Sequence, residues 1–334
     1  MEFFGLDIGS HSIKIAQIKR EKNGEMKLLA VGRAPTPPKG LDSEAETDLV
    51  AMATVIKKLL NDTKISTRNV VASLPELKVA TKVLTVPKMK DQELMNALKF
   101  EAEAFVPFPI DETNLDFQII SEGKEEMVVT LAAAPKRLVD KYLKIFSLVD
   151  ILPQALEAEM SALVRAVIPP DFPPSLVVDF GAKTCNLAVV ENGYVFSTRS
   201  IPTAGQAFTR ALATGLSLEE SQAEEYKKTF GLTEEMESKI QKSLLPILEV
   251  VALEMKKVVQ FYAAEKKDNL EKVILAGGSA GLPEMAPLLA HRLDLEVVLA
   301  NPFFRLAFDK NSFPGLAGEG AIFSVALGLA QRKI

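Results

Sequence analysis

Few residues here could staple a fold or bind a transition metal. The 334 residues include one cysteine, Cys185, and two histidines, His11 and His291. A lone cysteine rules out an internal disulfide framework and fits a reducing compartment. One thiol and two imidazoles also fall short of the nitrogen and sulfur sets that zinc takes. Positive charge is lacking too: the formal net charge is −5, which leaves no electrostatic footprint for nucleic acid. No apolar run reaches about eighteen residues, and Met1-Glu2-Phe3-Phe4-Gly5-Leu6-Asp7 has no basic start before an apolar stretch. Neither a membrane-spanning helix nor a secretory signal is expected. What is present, 48% apolar and 25% charged residues, is the composition of a soluble globular chain of about two domains.

The positive signal is a duplication. Gly5-Leu6-Asp7-Ile8-Gly9-Ser10-His11-Ser12-Ile13-Lys14-Ile15-Ala16 and Val177-Val178-Asp179-Phe180-Gly181-Ala182-Lys183-Thr184-Cys185-Asn186-Leu187-Ala188 spell nearly the same pattern in the two halves. In each, an apolar run ends in Asp-x-Gly-x-x-(Ser/Thr) and resumes, which predicts strand, tight turn and returning strand. Glycine lets the backbone approach a ligand, and successive N–H groups in a turn form an anion-binding nest. Facing carboxylates at the strand ends suit a hydrated magnesium ion that shares a nucleotide's phosphates, so Asp7 and Asp179 are the candidate metal carboxylates. Lys14, on the strand leaving the first turn, is placed to reach phosphate oxygens. Taken singly, either segment also reads as an ordinary hairpin; the repetition argues for a shared purpose. His11, inside the first turn, reads as a solvated residue or a ligand contact.

A third segment, Val273-Ile274-Leu275-Ala276-Gly277-Gly278-Ser279-Ala280-Gly281-Leu282-Pro283, predicts a buried strand, a Gly-rich turn and a helix. In this order, and followed by Gly320-Ala321-Ile322-Phe323-Ser324-Val325-Ala326-Leu327-Gly328-Leu329-Ala330, the segments resemble the phosphate, adenosine and connecting motifs of the actin-like ATPase superfamily. That resemblance implies an α/β fold of two lobes with a duplicated core around a nucleotide cleft, binding ATP with Mg2+. By position, Asp7, Gly9, Ser10 and Lys14 match the first phosphate loop, Asp179, Gly181 and Thr184 the second, and Gly277, Gly278 and Ser279 the adenosine loop. Ala223-Glu224-Glu225-Tyr226-Lys227 matches the helix that lies against ribose and base, with Ser217 and Glu220 as a capping box at its start; the plainer reading of Glu224 and Lys227 is a surface ion pair. Glu159 falls where the first connecting helix meets the γ-phosphate and is the candidate to orient a water, unless its place on that helix face is chance.

Residues 77–150 depart from a plain nucleotide-binding lobe. Periodicity predicts a strand over 77–86, an amphipathic helix over 91–105 with Leu94, Met95, Leu98 and Phe105 on one side, strands over 114–121 and 127–134, and a helix over 136–149. This is an inserted α+β subdomain. Pro107 and Pro109 stop its first helix and leave apolar side chains that are either local core or an edge able to receive a partner peptide. The insertion, with Glu101-Ala102-Glu103-Ala104-Phe105-Val106-Pro107-Phe108-Pro109 and the later stretch from Leu152 to Ala166, resembles the PilM family of type IV pilus assembly proteins, relatives of FtsA. The resemblance implies a groove that grips the short cytoplasmic N-terminus of a PilN-like inner-membrane protein, contacts with other pilus platform proteins, and a cytoplasmic location at the membrane through that partner. Self-association and ATP turnover stay open, and no motif fixes the groove residues. Because the chain ends directly after the second connecting helix, the lipid-binding C-terminal helix of FtsA is not expected. The alternatives are an FtsA-like cytoskeletal or cell-division protein and a small-molecule kinase of the same superfamily.

The expected layout is a first lobe at 1–76 and 151–170, the insertion at 77–150, and a second lobe at 171–334 with a helical subdomain at 216–267. Pro169-Pro170-Asp171-Phe172-Pro173-Pro174 suits a stiff link between lobes. Arg33 to Gly40, rich in proline, is expected as an exposed connector. Val250, Val251, Met255, Val258 and Tyr262 form a stripe expected to be core.

Overall fold

The computed structural model describes residues 1–309 and 311–334. The chain opens with an antiparallel meander, β1 (Phe4–Ile8), β2 (Ser12–Arg20) and β3 (Met26–Pro35), followed by α1 (Glu46–Thr63) and β4 (Asn69–Leu74). The insertion then supplies β5 (Ala80–Pro87), α2 (Asp91–Phe105), β6 (Thr113–Glu122), β7 (Glu126–Pro135) and α3 (Lys136–Val149). The chain returns through β8 (Leu152–Ala158) and α4 (Glu159–Val167). A second meander, β9 (Ser175–Phe180), β10 (Cys185–Glu191) and β11 (Tyr194–Ile201), leads to three helices, α5 (Gly205–Leu216), α6 (Glu220–Phe230) and α7 (Lys239–Lys266). Then follow β12 (Lys272–Ala276), α8 (Met285–Leu293), β13 (Glu296–Leu299), the short β14 (Leu306–Ala307) and α9 (Gly320–Ala330). Among the described residues no helix is long and apolar enough to cross a membrane.

The two large sheets are built on one plan. One runs β14-β3-β2-β1-β4-β8 and the other β11-β10-β9-β12-β13. In each, a meander places its first strand centrally, and two further strands pair parallel beyond it. The central strands β1, β4, β9 and β12 are almost wholly buried and read as continuous apolar runs, as strands covered on both faces should. Ligands of open α/β sheets bind beyond the carboxyl ends of such strands, and β1 and β9 end in the two Asp-x-Gly turns.

Helices α4 and α9 pack between the two sheets. They cross so closely that a Cβ on Gly328 would stand 1.8 Å from the Ala162 carbonyl oxygen, so only glycine permits that crossing. The chain's last stretch, drawn above with the second lobe, turns back: β14 pairs with β3, and Phe323, Ala326, Leu327 and Ala330 pack on Ala16 and Leu28 of the first sheet. Likewise α3, drawn with the insertion, gives Tyr142, Ile145 and Phe146 to the core of the first lobe. It packs with α1 and takes no part in the core of the three-stranded sheet β5-β7-β6.

The insertion's own core joins Leu94, Leu98 and Ala102 of α2 to Met127, Val129 and Leu131 of β7. Phe105 and Val106 pack into it, whereas Phe108 and Pro109 line a cavity, so the aromatic edge divides between both roles. Several expectations change. A one-turn helix at Glu76–Lys78 precedes β5, so the strand begins later than residue 77. Arg33, Ala34 and Pro35 belong to β3 rather than to a connector. Ser217 takes a left-handed conformation (φ 52°) at the end of α5, and α6 starts after Glu219 without a side-chain cap. The capping box therefore does not form. On α7, Val251, Met255 and Tyr262 are buried, but Val250 is 49% exposed, one residue off the covered stripe.

Candidate functional site

Between the sheets lies a cleft of about 650 Å3, lined by Asp7, Gly9, Ser10, Lys14, Glu159, Asp179, Gly181, Thr184, Glu224, Lys227, Gly277, Gly278 and Ser279. Every site residue singled out from the sequence borders it. The two turns are the same object built twice. Gly9 N–H donates to the Ser12 carbonyl at 3.2 Å, and Gly181 N–H to the Thr184 carbonyl at 3.0 Å. Register pairs Asp7 with Lys14 and Asp179 with Asn186.

That register gives each carboxylate a different neighbour. Lys14 Nζ donates to Asp7 Oδ2 at 2.9 Å, and Ser73 Oγ donates to Asp7 Oδ1 at 3.2 Å. Asn186, at the matching place in the second turn, donates instead to Glu159 Oε2 at 3.3 Å, with Ser200 Oγ donating to its Oδ1 at 2.8 Å. Glu159 begins α4 and also accepts the Glu76 N–H at 3.2 Å, while Glu76 Oε2 accepts the Met160 N–H at 3.2 Å. The two glutamates thus cap each other's short helices and tie the entry of the insertion to α4.

One lysine therefore faces a surplus of acids. Burial lowers the Lys14 pKa, but Asp7, with Asp179 and Glu159 beyond, more than offsets this and raises it. Asp179 is pushed up to about 6 by burial, with Lys14 opposing and Asp7 adding to the shift. Burial, then Asp7 and Asp179, hold Glu159 well above the usual carboxylate range, and burial raises Glu76 as well. Acids crowded out of water take up either protons or a cation. Among the described residues no three His, Cys, Asp or Glu side chains are grouped to hold a metal. Two carboxylates at a phosphate cradle suit an ion like magnesium, which keeps most of its waters, and so the donor set fits that cation.

A glycine loop and a buried ion pair line the cleft beside the second turn. Gly277, at φ +87°, lies so close to the second turn that a Cβ would be 2.4 Å from Asp179 Oδ1. Gly278 has open space where a side chain would stand. Ser279 N–H donates to the Phe180 carbonyl at 3.0 Å, and Gly277 N–H to the Ala321 carbonyl at 3.0 Å, fastening this loop to both β9 and α9. Lys227 is buried and donates to Glu224 Oε2 at 2.5 Å, Thr209 Oγ1 at 2.9 Å and the Gly205 carbonyl at 3.1 Å. The pair is thus built into the cleft wall instead of lying on the surface. His11 is exposed at the rim, and Thr36 straps the first turn, its Oγ1 donating to the Gly9 carbonyl at 2.7 Å.

Sequence reasoning missed Thr36, Ser73, Glu76 and Asn186. Aligning the two repeats on their aspartates would have flagged Asn186 as the counterpart of Lys14; the other three are set by tertiary contact alone. A second cavity of about 620 Å3 lies where the insertion meets α1 and α3, with Leu49, Phe108, Pro109 and Pro135 as its apolar lining and Glu44, Asp111, Lys136, Arg137, Lys141 and Lys144 among its charged residues.

Two sheets of one topology, each ending its central strand in an Asp-x-Gly turn at a common cleft, are the actin-like ATPase fold. The chain is similar over 98% of its length to MreB 5 of Spiroplasma citri bound to AMPPNP, covering 94% of that chain at 13% identity and a TM-score of 0.54. It is similar to the ethanolamine utilization protein EutJ from Carboxydothermus hydrogenoformans at 17% identity, over 99% of this chain and 89% of that one, with a TM-score of 0.61. A far nearer likeness is to a chain of the PilM-PilN type IV pilus biogenesis complex: 30% identity, 99% and 98% coverage, TM-score 0.87. The family model of the type IV pilus assembly protein PilM matches residues 5–334, and the chain belongs to that family.

Proposed function

We propose that this chain is the nucleotide-binding component of a pilus assembly platform, holding MgATP in the interlobe cleft and the cytoplasmic N-terminus of a PilN-like membrane protein in the second cavity. The observation that carries the nucleotide half is the convergence of two matching turns, one from each sheet, with Asp7, Lys14 and Asp179 lining one cleft. Ser10 and Thr184 would offer backbone N–H groups and hydroxyls to the phosphates, Gly9 and Gly181 let the backbone come close, and Lys14 would add the charge. Asp7 and Asp179 would hold magnesium through its waters, and the ion would neutralise phosphate and carboxylate charge together. Gly277, Gly278 and Ser279 would flank the base, and Glu224 with Lys227 the ribose. Glu159 is held by Asn186 and the Glu76 N–H, and would orient a water at the terminal phosphate once the local charge is balanced. The three-part division of the chain fits this reading, with the insertion as the partner-binding part.

The partner half rests on family membership and on the second cavity. Its apolar floor at Leu49, Phe108 and Pro109 suits an extended peptide, and its charged rim fixes orientation. Membrane location would then come through the partner. The test is titration of labelled ATP with magnesium into wild type, Asp7→Ala and Asp179→Ala. Both variants should lose at least about tenfold in affinity, about 1.4 kcal/mol; retained affinity in either would mean that the turns do not form the site. For the partner, a synthetic peptide of the PilN-like N-terminus should bind wild type and lose affinity when Phe108 becomes Ala.

A further inference from the structure

The two cavities share a wall. The segment between β3 and α1 turns through a one-turn helix, Gly40–Asp42, and its residues face opposite ways. Pro38, Gly40, Leu41 and Asp42 border the cleft, while Glu44 borders the second cavity. On the cleft side, Asp42 Oδ2 accepts from Lys183 Nζ at 2.6 Å, and Lys183 belongs to the second phosphate turn, between Gly181 and Thr184. Asp42 Oδ1 also lies 3.6 Å from Lys78 Nζ, at the entry of the insertion. On the other side, Lys141 of α3 is buried and both its partners are on this one segment: the Leu41 carbonyl at 2.9 Å and Glu44 Oε1 at 3.5 Å. Arg137, one turn earlier on α3, pairs with Glu44 as well.

A buried ammonium must keep its acceptors, so Lys141 fixes Leu41, and Leu41 fixes its neighbour Asp42. The lysine that Asp42 engages is the one cation in the second phosphate turn. We propose that residues 38–44 form a positioning element for that turn: Asp42 holds Lys183 off the phosphates, and the α3 pairs with Glu44 and Leu41 set how firmly it does so. The inference rests on the two-cavity reading above. A peptide that engages Glu44, Arg137 or Lys141 loosens the hold on Asp42 and frees Lys183 for phosphate, and nucleotide binding weakens the α3 anchor in return, because such coupling is reciprocal. The ion pair of Asp42 and Lys183 is half exposed, which suits a contact that must break easily.

The experiment is a double-mutant cycle read as MgATP affinity on the full chain, with thermal melting as a control for folding. Asp42→Asn should tighten MgATP binding by roughly two- to fivefold, and the gain should vanish when Lys183→Met is added. Lys141→Met and Glu44→Gln, both in the other cavity, should shift MgATP affinity in the same direction as Asp42→Asn. Should Lys141→Met fail to fold, Glu44→Gln decides, since that side chain is 43% exposed. Wild-type MgATP affinity in the folded groove-side variants would overturn the proposal, as would a full gain in the double variant, which would reduce Asp42 to a local charge. Loss of binding in Asp7→Ala alongside unchanged groove-side variants sinks only this inference; retained binding in Asp7→Ala would sink the nucleotide reading beneath it.

Discussion

The two Asp-x-Gly turns have the same backbone and different chemistry. Both close with a glycine N–H donating to the carbonyl three residues on, and both set an aspartate opposite the residue seven places later. In the first turn that residue is Lys14, which neutralises Asp7. In the second it is Asn186, which leaves Asp179 with no cation opposite it, since Lys183 of the same turn pairs with Asp42, and turns its amide to Glu159. One difference between the copies thus separates them: the first pairs its aspartate with a cation, and the second gives an amide to Glu159.

The largest effect should come from erasing this difference. Lys14→Met leaves Asp7, like Asp179, with no cation opposite it and the acids unopposed; MgATP affinity should fall on the order of ten- to a hundredfold, read by equilibrium titration. Next in size is the pH response. Asp179 sits at about 6 against an ordinary 3.8, so the native state holds this proton more tightly than the unfolded chain does. Stability without magnesium or nucleotide should therefore fall as pH climbs through that window, and be higher at pH 5 than at pH 7.5 as far as this group is concerned. Asp179→Asn should flatten the slope and gain up to about 3 kcal/mol above it, measured by urea unfolding in EDTA; an unchanged slope would break the contrast.

Smaller and more alike should be the glycine variants. A Cβ at Gly9 or Gly181 would stand 2.9 Å from the carbonyl that each turn bonds, costing about 1–3 kcal/mol in either case. At Gly9 it would also stand 2.9 Å from Lys14 Nζ, so Gly9→Ala should weaken nucleotide binding beyond its loss of stability, whereas Gly181→Ala should lose less. Smallest is Asn186→Ala, which strips one donor from Glu159 and one acceptor from Ser200, at about 1–2 kcal/mol of stability and little direct change in nucleotide affinity. A large loss of affinity there would mean that Asn186 itself touches the phosphates.

Local rules read some features well and others poorly, for identifiable reasons. The helix at Lys136–Val149 was legible to the residue because its apolar face repeats strictly and Pro135 precedes it. The predicted cap at Ser217 failed because the chain needed a left-handed residue there to end α5, a demand set by how α5 and α6 pack. Val250 faces solvent because, next to Val251, it points about 100° away from the stripe of Val251, Met255 and Tyr262 that the core covers. Glu76 carried no motif at all; its place at the cleft depends on the helix start it caps.

By itself, the sequence determined the duplicated strand-turn-strand units and the glycine loop, because those depend on local spacing, backbone freedom and apolar runs. It also determined which side chains could meet a phosphate or a metal. Only the tertiary structure decided that β14 and α9 return to the first sheet, that α3 joins the first core, that Asn186 turns to Glu159, and that one short segment walls two cavities. Those outcomes depend on which surfaces remain uncovered once the sheets stack, a quantity that no window along the chain contains.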